Sequence, residues 1–155
     1  MKLLEGKVVL ITGAGSGMGQ THAEVMSERG ATIVANDINE KGIEETVDRV
    51  QANGGKILAS IGDITDPKFV DSMVASTIEH YGQVDVLVNN AGIGEHKDLE
   101  EISLELLDRM LSIHVVGSFL CAKAVVPDMK SRRYGKIINI SSIWGMNGHS
   151  TASHY

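Results

Sequence analysis

The amino-acid sequence predicts an α/β protein built on a doubly wound parallel sheet. Short β-branched segments alternate with longer segments of helical periodicity along all 155 residues, and no repeat or proline-rich linker separates them. Most of the strand candidates are apolar at successive positions, which is typical of strands that helices cover on both faces. Right-handed crossovers then favour one domain over residues 1–155 with the strand order 3-2-1-4-5.

Five segments are short, rich in β-branched residues and bounded by turn residues, so we expect them to be the strands. They cover residues 7–12, 31–36, 56–61, 84–89 and 136–141.

Four helices are predicted between these strands. The first covers residues 20–29, the second ends at the turn Asn53-Gly54-Gly55, and Asp66 with Pro67 begins the third. The fourth is long, from about residue 103 to residue 129. The apolar stripes expected to face the core are Ile43, Thr46, Val47 and Val50; Val70, Met73, Val74, Thr77 and Ile78; and Leu106, Leu107, Met110, Leu111, Val115 and Ala122.

Composition excludes several classes of function. Twenty acidic against 14 basic residues give a net charge of −6, which argues against a nucleic-acid partner. The single cysteine, Cys121, suits a reducing compartment, and no apolar run is expected to approach the roughly 20 residues that a membrane span needs. The five histidines other than His114 include no i, i+4 pair, and His149 with His154 could serve a metal only if Cys121 or a carboxylate came close. We therefore expect a cytoplasmic protein without a membrane segment or a metal.

A glycine-rich turn follows the first strand and precedes the first helix. Glycines allow positive φ angles and close approach of a ligand, while a helix N-terminus offers free N–H groups and partial positive charge to a pyrophosphate. The spacing is TGxxxGxG, because Met18 stands where a GxGxxG fingerprint needs glycine, and no P-loop lysine follows. The turn comprises Thr12, Gly13, Ala14, Gly15, Ser16, Gly17, Met18 and Gly19.

An acidic residue ends the second strand. Asp37 lies 24 residues after Gly13, close to where a carboxylate accepts the hydroxyls of an adenosine ribose. That charge would repel a 2′-phosphate, and positions 14, 16, 18, 36 and 38 hold no lysine or arginine to receive one. NAD is therefore favoured over NADP. Taken alone, Asp37 could equally be a solvated acid or a helix cap.

Two later motifs complete the pattern: Asn89-Asn90-Ala91-Gly92 after the fourth strand, and Ile138-Asn139-Ile140-Ser141-Ser142 with Tyr155 thirteen residues after Ser142. Together with the glycine-rich turn, this ordered set resembles the short-chain dehydrogenase/reductase family over the whole chain. It is most similar to members that resemble 3-oxoacyl-carrier-protein reductases and hydroxysteroid dehydrogenases. The resemblance implies a Rossmann-type NAD-binding domain in a homodimer or homotetramer that pairs the long helix with the one after it.

The resemblance also implies roles for individual residues. The glycine-rich turn would bind the pyrophosphate, Asp37 the ribose, and Asp63 with Ile64 the adenine, while Asn89 would brace the central strands. The cofactor-binding residues expected on this basis are Thr12, Gly13, Gly15, Ser16, Gly17, Met18, Gly19, Asp37, Asp63, Ile64, Asn90, Ala91, Gly92 and Tyr155.

The catalytic residues implied are Ser142, Tyr155 and His114. The tyrosine hydroxyl would exchange a proton with the oxygen of a secondary alcohol or ketone while hydride moves to or from NAD, and Ser142 would orient that oxygen. Ser141 fits less well because its separation from Tyr155 is one residue longer. His114 stands where the family has an asparagine that supports a helix irregularity. Trp144 is expected to line the substrate region.

Two functions remain open at this point. One is an NAD-dependent dehydrogenase or reductase that acts on a small alcohol or ketone. The other is a dinucleotide-binding protein without turnover, either a redox sensor or a degenerate or truncated relative of the family. The family's lysine would come four residues after Tyr155, the last residue here, and its asparagine is replaced. We expect a longer C-terminus, since the chain ends inside the catalytic motif.

Overall fold

A computed structural model describes residues 2–155. Five parallel strands form one sheet: β1 (Val8–Thr12), β2 (Thr32–Asp37), β3 (Lys56–Ile61), β4 (Val86–Asn89) and β5 (Lys136–Asn139). Their order is β3-β2-β1-β4-β5, which confirms the predicted fold class and strand order. The strand positions also agree with the sequence, with ends that differ by one or two residues.

Five helices lie in the connections between strands: α1 (Gly17–Glu28), α2 (Glu40–Ala52), α3 (Pro67–Tyr81), α4 (Leu104–Leu111) and α5 (Ser118–Arg132). A short sixth helix, α6 (Trp144–Asn147), follows β5. A 3₁₀ turn covers Leu99–Glu101, and a π-helical segment, Ser112–Gly117, joins α4 to α5. The third helix begins as predicted, with the Asp66 side chain accepting from the Lys68 N–H and Pro67 in the first turn. The first helix begins three residues earlier than predicted, inside the glycine-rich turn.

The core has two layers, one on each face of the sheet. Alternate residues of β1 point to opposite faces, so Val9 and Ile11 pack beneath α1 and α2 while Val8 and Leu10 pack against α3 and α5. The predicted stripes of α2 and α3 face the sheet. On the first face Ile43, Thr46 and Val50 are buried, and on the second face Val70, Met73, Val74 and Thr77 are buried.

Coverage of the sheet is uneven, and this corrects the expectation that most strands are covered on both faces. Strands β1 and β4 are buried throughout, whereas every residue of β5 is exposed and β3 is only partly covered. Among the described residues β5 pairs with β4 alone. Its side chains Ile137 and Ile138 keep 38% and 42% of their surface accessible.

The predicted core stripe of the long helix is wrong in its middle. Leu111 and Val115 are exposed, while Met110, Cys121 and Val125 are buried. The buried residues Met110, Gly117, Cys121 and Val125 recur at intervals of seven, four and four residues, so the buried face keeps the helical spacing and the predicted stripe lay beside it at Leu111 and Val115. Burial of Cys121 raises the pKa of its thiol to about 12, which keeps it protonated and unreactive.

The combined helix Leu104–Arg132 is 29 residues long and, by length and composition only, apolar enough to cross a membrane. The expectation that no apolar segment approaches the length of a membrane span is therefore wrong. One side of α5 nevertheless packs in the core against α3, through buried Cys121, Val125 and Met129.

A buried ionic cluster fixes the end of α5 to the start of the sheet. The carboxylate of Asp85 is 1% exposed and accepts from the Val8 N–H at 2.9 Å and from the Arg132 guanidinium at 3.2 Å. Arg132 also donates to the Val84 carbonyl and to Asp128, at 2.6 and 2.7 Å. The hydrogen bonds from Arg132 are the main cause of the lowered pKa of Asp128. This cluster fixes the C-terminal end of the long helix, which includes the π segment, against the sheet.

Candidate functional site

The glycine-rich turn packs directly on the segment that follows β4. Gly13 has φ +65°, and a Cβ there would lie 2.7 Å from the Ala91 Cα. At Gly19 a Cβ would overlap the carbonyl oxygen of Gly13. The Asn90 side-chain amide donates to the carbonyls of Thr12 and Gly13, at 3.0 and 3.1 Å. The glycines are therefore needed for this packing, and Asn90 fixes the shape of the turn.

Polar side chains hold the carboxyl ends of the central strands together. The buried hydroxyl of Thr12 accepts from the N–H groups of Asn90 and Ala91, both at 3.1 Å. The Asn89 amide donates to the Asn139 side chain at 2.8 Å and to the Ser118 carbonyl at 3.3 Å. Asn89 thus joins β4, β5 and α5, which is the bracing role that the family resemblance implied.

Asp37 ties the end of β2 to the glycine-rich turn. One carboxylate oxygen accepts from the Gly15 N–H at 2.9 Å and the other from the Asn39 N–H at 3.0 Å. The cap of α2 is Asn39, whose side chain accepts from the Gly42 N–H, so Asp37 is not that cap. The carboxylate is partly exposed at the mouth of a cavity.

This first cavity has a volume of about 410 Å³. It lies between the ends of β1, β2, β3 and β4 and the start of the π segment. Its walls bring together six of the residues predicted to bind cofactor, Gly13, Asp37, Asp63, Ile64, Ala91 and Gly92, with Asn36, Ile38, Gly62, Thr65, Ile93, Arg109, Ser112 and Ile113.

Sequence reasoning missed the wall that α4 and the π segment supply. Arg109 is exposed on that wall and makes no salt bridge in the described part of the chain. No motif marks it, because only the packing of the long helix across the sheet brings it near Asp37.

A second cavity, of about 200 Å³, shares the wall of residues 91–93 with the first. Its lining includes five further predicted or candidate residues, Met18, Asn90, His114, Ser141 and Tyr155, together with Gly94 and Ile140. The predicted cofactor residues Thr12, Gly15, Ser16, Gly17 and Gly19 line neither cavity; they form the turn beside them.

His114 lies inside the π segment, which is the helix irregularity expected at this position. Its Nε2 atom is 2.8 Å from the Ile93 carbonyl oxygen and 3.1 Å from the Ile93 nitrogen. Its ring lies edge-on to the Tyr155 ring, with centroids 5.2 Å apart. A Cβ at Gly92 would overlap the imidazole, so glycine is required there while histidine occupies position 114.

The two serines are placed differently from expectation. Ser141 lines the second cavity, whereas Ser142 is partly buried beside it and its hydroxyl oxygen accepts from the Trp144 N–H at 3.2 Å. The assignment of Ser142 to catalysis therefore stays a prediction based on its spacing from Tyr155.

Trp144 lies beside the second cavity. Its ring is edge-on to Tyr155 with centroids 5.6 Å apart, and His149 packs on it at 4.4 Å. His96 completes this group, 5.2 Å from the Trp144 ring. The contact with Tyr155 places Trp144 next to the predicted catalytic residue.

Comparison with known proteins decides the family. The sequence pattern of the family described as short chain dehydrogenase matches residues 7–155. The chain belongs to the short chain dehydrogenase family. Its glycine-rich turn, the Asn89-Asn90-Ala91-Gly92 motif and Tyr155 all fall within the matched region of this dehydrogenase family.

Several short chain dehydrogenases and related oxidoreductases are similar in sequence. The chain is 43% identical to an uncharacterized oxidoreductase of Thermotoga maritima, over 93% of the chain and 57% of that protein. It is 36% identical to the 3-oxoacyl-[acyl-carrier-protein] reductase FabG of the same organism, over 98% of the chain and 62% of the reductase.

A solved structure extends the likeness to three dimensions. A crystal structure of NAD⁺-bound xylitol dehydrogenase superimposes with a TM-score of 0.96 at 32% identity, over 99% of the chain and 60% of that structure. The chain therefore spans about 57 to 62% of the length of these relatives. The family and this neighbour support a nicotinamide dinucleotide as cofactor.

Proposed function

We propose that the protein is an oxidoreductase that transfers hydride between NAD(H) and a secondary alcohol or ketone. The meeting of Tyr155 and His114 at a cavity beside the glycine-rich turn carries this proposal. In doubly wound sheets, ligands bind at the carboxyl ends of the strands where the strand order reverses, and both cavities are lined by the residues that follow β4, the strand next to β1 at that reversal. When bound, the nicotinamide supplies or accepts the hydride.

The residues present fit a dinucleotide. The first cavity is within the range of about 300–1,000 Å³ that ligand sites occupy. Gly13 and Gly19 leave no room for a side chain, and the Asn90 Oδ1 atom is buried without a hydrogen-bond partner among the described residues. Backbone N–H groups of the turn would hold the pyrophosphate, and Asp37 would accept the ribose hydroxyls.

Proton transfer falls to Tyr155. Its hydroxyl would donate a proton to the substrate oxygen in ketone reduction and accept one in alcohol oxidation, with Ser142 donating a second hydrogen bond to that oxygen. His114 would hold the wall of the cavity against which the Tyr155 ring packs.

The choice of NAD over NADP is expected to depend on the charge of Asp37. Each carboxylate oxygen already accepts one backbone N–H but retains a lone pair for a ribose hydroxyl. Asp37→Asn removes the charge and also leaves one of the two backbone N–H groups facing an amide NH2, so we expect NAD to bind about tenfold more weakly and the gap between the NAD and NADP affinities to narrow. Titration calorimetry with both cofactors measures this, and equal affinities in the unmodified protein would contradict it.

Arg109 offers the matched control, because it is a charged residue that lines the same cavity. If Asp37 alone sets the preference, Arg109→Gln leaves the ratio of NAD to NADP affinity unchanged. A marked loss of NADP binding in Arg109→Gln would instead identify Arg109 as a partner of the 2′-phosphate.

We also propose that two copies of the chain pair through the long helix, in a homodimer or homotetramer. Four apolar side chains on neighbouring turns of this helix are about half exposed or more: Leu111, Val115, Val116 and Phe119. An exposed apolar face of this kind favours association.

Phe119→Glu is therefore expected to yield monomers, since it buries a charge in the paired face. Sedimentation velocity measures the change in mass. Leu3→Glu is the control, because Leu3 is at least as exposed but lies near the N-terminus. An unchanged mass in both Phe119→Glu and Val115→Glu would contradict pairing through this helix.

Turnover is tested by a screen of secondary alcohols with NAD and of ketones with NADH, followed at the NADH absorbance, with the full-length polypeptide. We expect turnover with at least one compound class. Tight NAD binding without turnover of any compound would favour the dinucleotide-binding alternative.

A further inference from the structure

Four aromatic rings form a connected group that begins at Tyr155. The Trp144 ring is edge-on to Tyr155, with centroids 5.6 Å apart, and His149 packs against Trp144 at 4.4 Å. His96 closes the group, 5.2 Å from Trp144 and 5.4 Å from His149. We call these four side chains the ring group. Its members come from two segments, the loop after β4 and the segment that follows β5.

One threonine joins the two segments and orients the two imidazoles. The Thr151 hydroxyl lies 3.1 Å from Nδ1 of His96 and 3.3 Å from Nδ1 of His149, so it can accept from the first and donate to the second. The Thr151 carbonyl also accepts from the Lys97 N–H at 2.8 Å. These hydrogen bonds fasten the segments to each other without any contribution from the aromatic faces.

The ring group lies outside the core. Its two imidazoles are exposed, its indole is partly buried, and Tyr155 keeps 46% of its surface accessible. The lining of the adjoining second cavity includes no lysine, arginine or carboxylate, and Glu95 on the loop after β4 pairs with Lys97 at 3.4 Å. His154 stands apart, because both its ring nitrogens are buried and it makes no ring contact with the group within residues 2–155. The surface beside Tyr155 is therefore aromatic.

We propose that the ring group binds an aromatic substituent of the substrate, so that the preferred substrates are aryl-substituted secondary alcohols and the corresponding ketones. The inference rests on the proposed function, in which the substrate oxygen meets the Tyr155 hydroxyl. The carbinol carbon is bonded to that oxygen, so one of its substituents lies beside Trp144, the ring that contacts Tyr155. Aromatic rings attract each other in edge-on or offset arrangements with centroids about 4.5–7 Å apart, and a phenyl substituent can adopt these arrangements with the indole.

A matched pair of substrates separates aromatic character from size. The alcohols 1-phenylethanol and 1-cyclohexylethanol share the carbinol group and a six-membered ring, and only the first of these rings is aromatic. The quantity measured is the ratio of kcat/KM for the phenyl compound to kcat/KM for the cyclohexyl compound, with NAD and the full-length polypeptide. The two alcohols differ in intrinsic reactivity, but this difference is the same for every variant and cancels when ratios are compared.

Trp144→Leu is expected to lower this ratio about three- to tenfold, which is the value of one aromatic pair. Trp144→Phe keeps an aromatic ring at the position, so its ratio is expected to stay within about twofold of the unmodified protein. Met146→Leu is the control, because Met146 lies on the same short helix, is 87% exposed and is not in the ring group. His149→Leu removes an exposed ring and gives a second test if Trp144→Leu does not fold, as judged by circular dichroism.

A ratio that is unchanged in both Trp144→Leu and His149→Leu overturns the inference while the proposed function stands, and would mean that something other than substrate covers these rings. A loss of activity that affects both alcohols equally has the same meaning, because a structural role does not distinguish the two compounds. An equal fall of the ratio in Trp144→Phe and Trp144→Leu also overturns aromatic recognition. Turnover of other secondary alcohols but of neither member of the pair overturns the substrate class, whereas absence of turnover with every alcohol and ketone overturns the proposed function itself.

Discussion

Replacing Tyr155 with phenylalanine is expected to lower turnover about 100-fold or more and to leave NAD affinity nearly unchanged. The substitution removes the hydroxyl alone, so the ring keeps its edge contacts with His114 and Trp144. Loss of a general acid or base slows the chemical step, while the cofactor contacts expected at the glycine-rich turn and at Asp37 remain. Steady-state kinetics with the best substrate of the alcohol screen gives kcat, and calorimetry gives the affinity for NAD.

Tyr134→Phe is the matched control. The centre of the Tyr134 ring lies 4.0 Å from the Lys7 ammonium, just before β1. This is the amino end of the strands, whereas the cavities lie at their carboxyl ends. Phenylalanine keeps that contact, so turnover is expected to stay within about twofold of the unmodified protein. Turnover that survives in Tyr155→Phe would remove Tyr155 from the role of acid and base.

The fold could be predicted where a buried strand gives a continuous run of apolar residues in the sequence. Strands β1 and β4 lie inside the sheet with helices on both faces, so nearly every position is apolar and each strand stands out from its neighbours. The start of α3 was equally clear, because Asp66 and Pro67 form a local signal that needs no tertiary contact.

The long helix shows the limit of periodicity. Its existence could be predicted from apolar content, but its buried face could not, because the exposed Leu111 and Val115 are as apolar as the buried Met110 and Cys121 and hydropathy does not separate the two sets. Propensity also gives no sign of the π-helical segment. The resemblance to the family was the only sign of an irregularity near His114.

Some residues of the candidate site could also be predicted from the sequence, and others could not. The glycine-rich turn, Asp37 and the motif after β4 are contiguous or regularly spaced, and they could be identified from the residues. Arg109 reaches the first cavity only through the packing of the long helix across the sheet. The partnership of Asp85 with Arg132 was also unforeseen, since 47 residues separate them and neither belongs to a functional motif.

That ionic cluster leads to the second large effect. Arg132→Met is expected to lower the free energy of unfolding by about 3 kcal/mol, because it leaves the Asp85 carboxylate buried without its counterion. Methionine keeps the aliphatic bulk of the side chain, so the loss reports on charge and hydrogen bonding. Denaturant unfolding followed by circular dichroism measures it. Arg49→Met is the control: its ion pair with Glu24 is on the surface, with the arginine side chain 54% exposed, and its loss should cost less than about 1 kcal/mol.

The same substitution is expected to change the response to acid. The pKa of Asp128 is lower in the folded protein than in the unfolded chain, mainly because Arg132 hydrogen-bonds to it. Its stabilisation is therefore complete above the unfolded value of about 4 and is lost as the pH falls through the lower folded value. Arg132→Met lacks that contribution at every pH. The free energies of unfolding of the two proteins should therefore converge as the pH falls below about 4.

A second substitution distinguishes a stranded charge from simple loss of packing. Asp85→Asn removes the negative charge while its side-chain oxygen can still accept from the Val8 N–H. If the cost of Arg132→Met arises from the buried carboxylate, the double variant Asp85→Asn with Arg132→Met should recover a large part of the lost stability, because no unpaired charge remains. Additive losses in the double variant would show instead that the hydrogen bonds from Arg132 to Val84 and Asp128 carry the stabilisation, and that the end of α5 is held by those bonds alone.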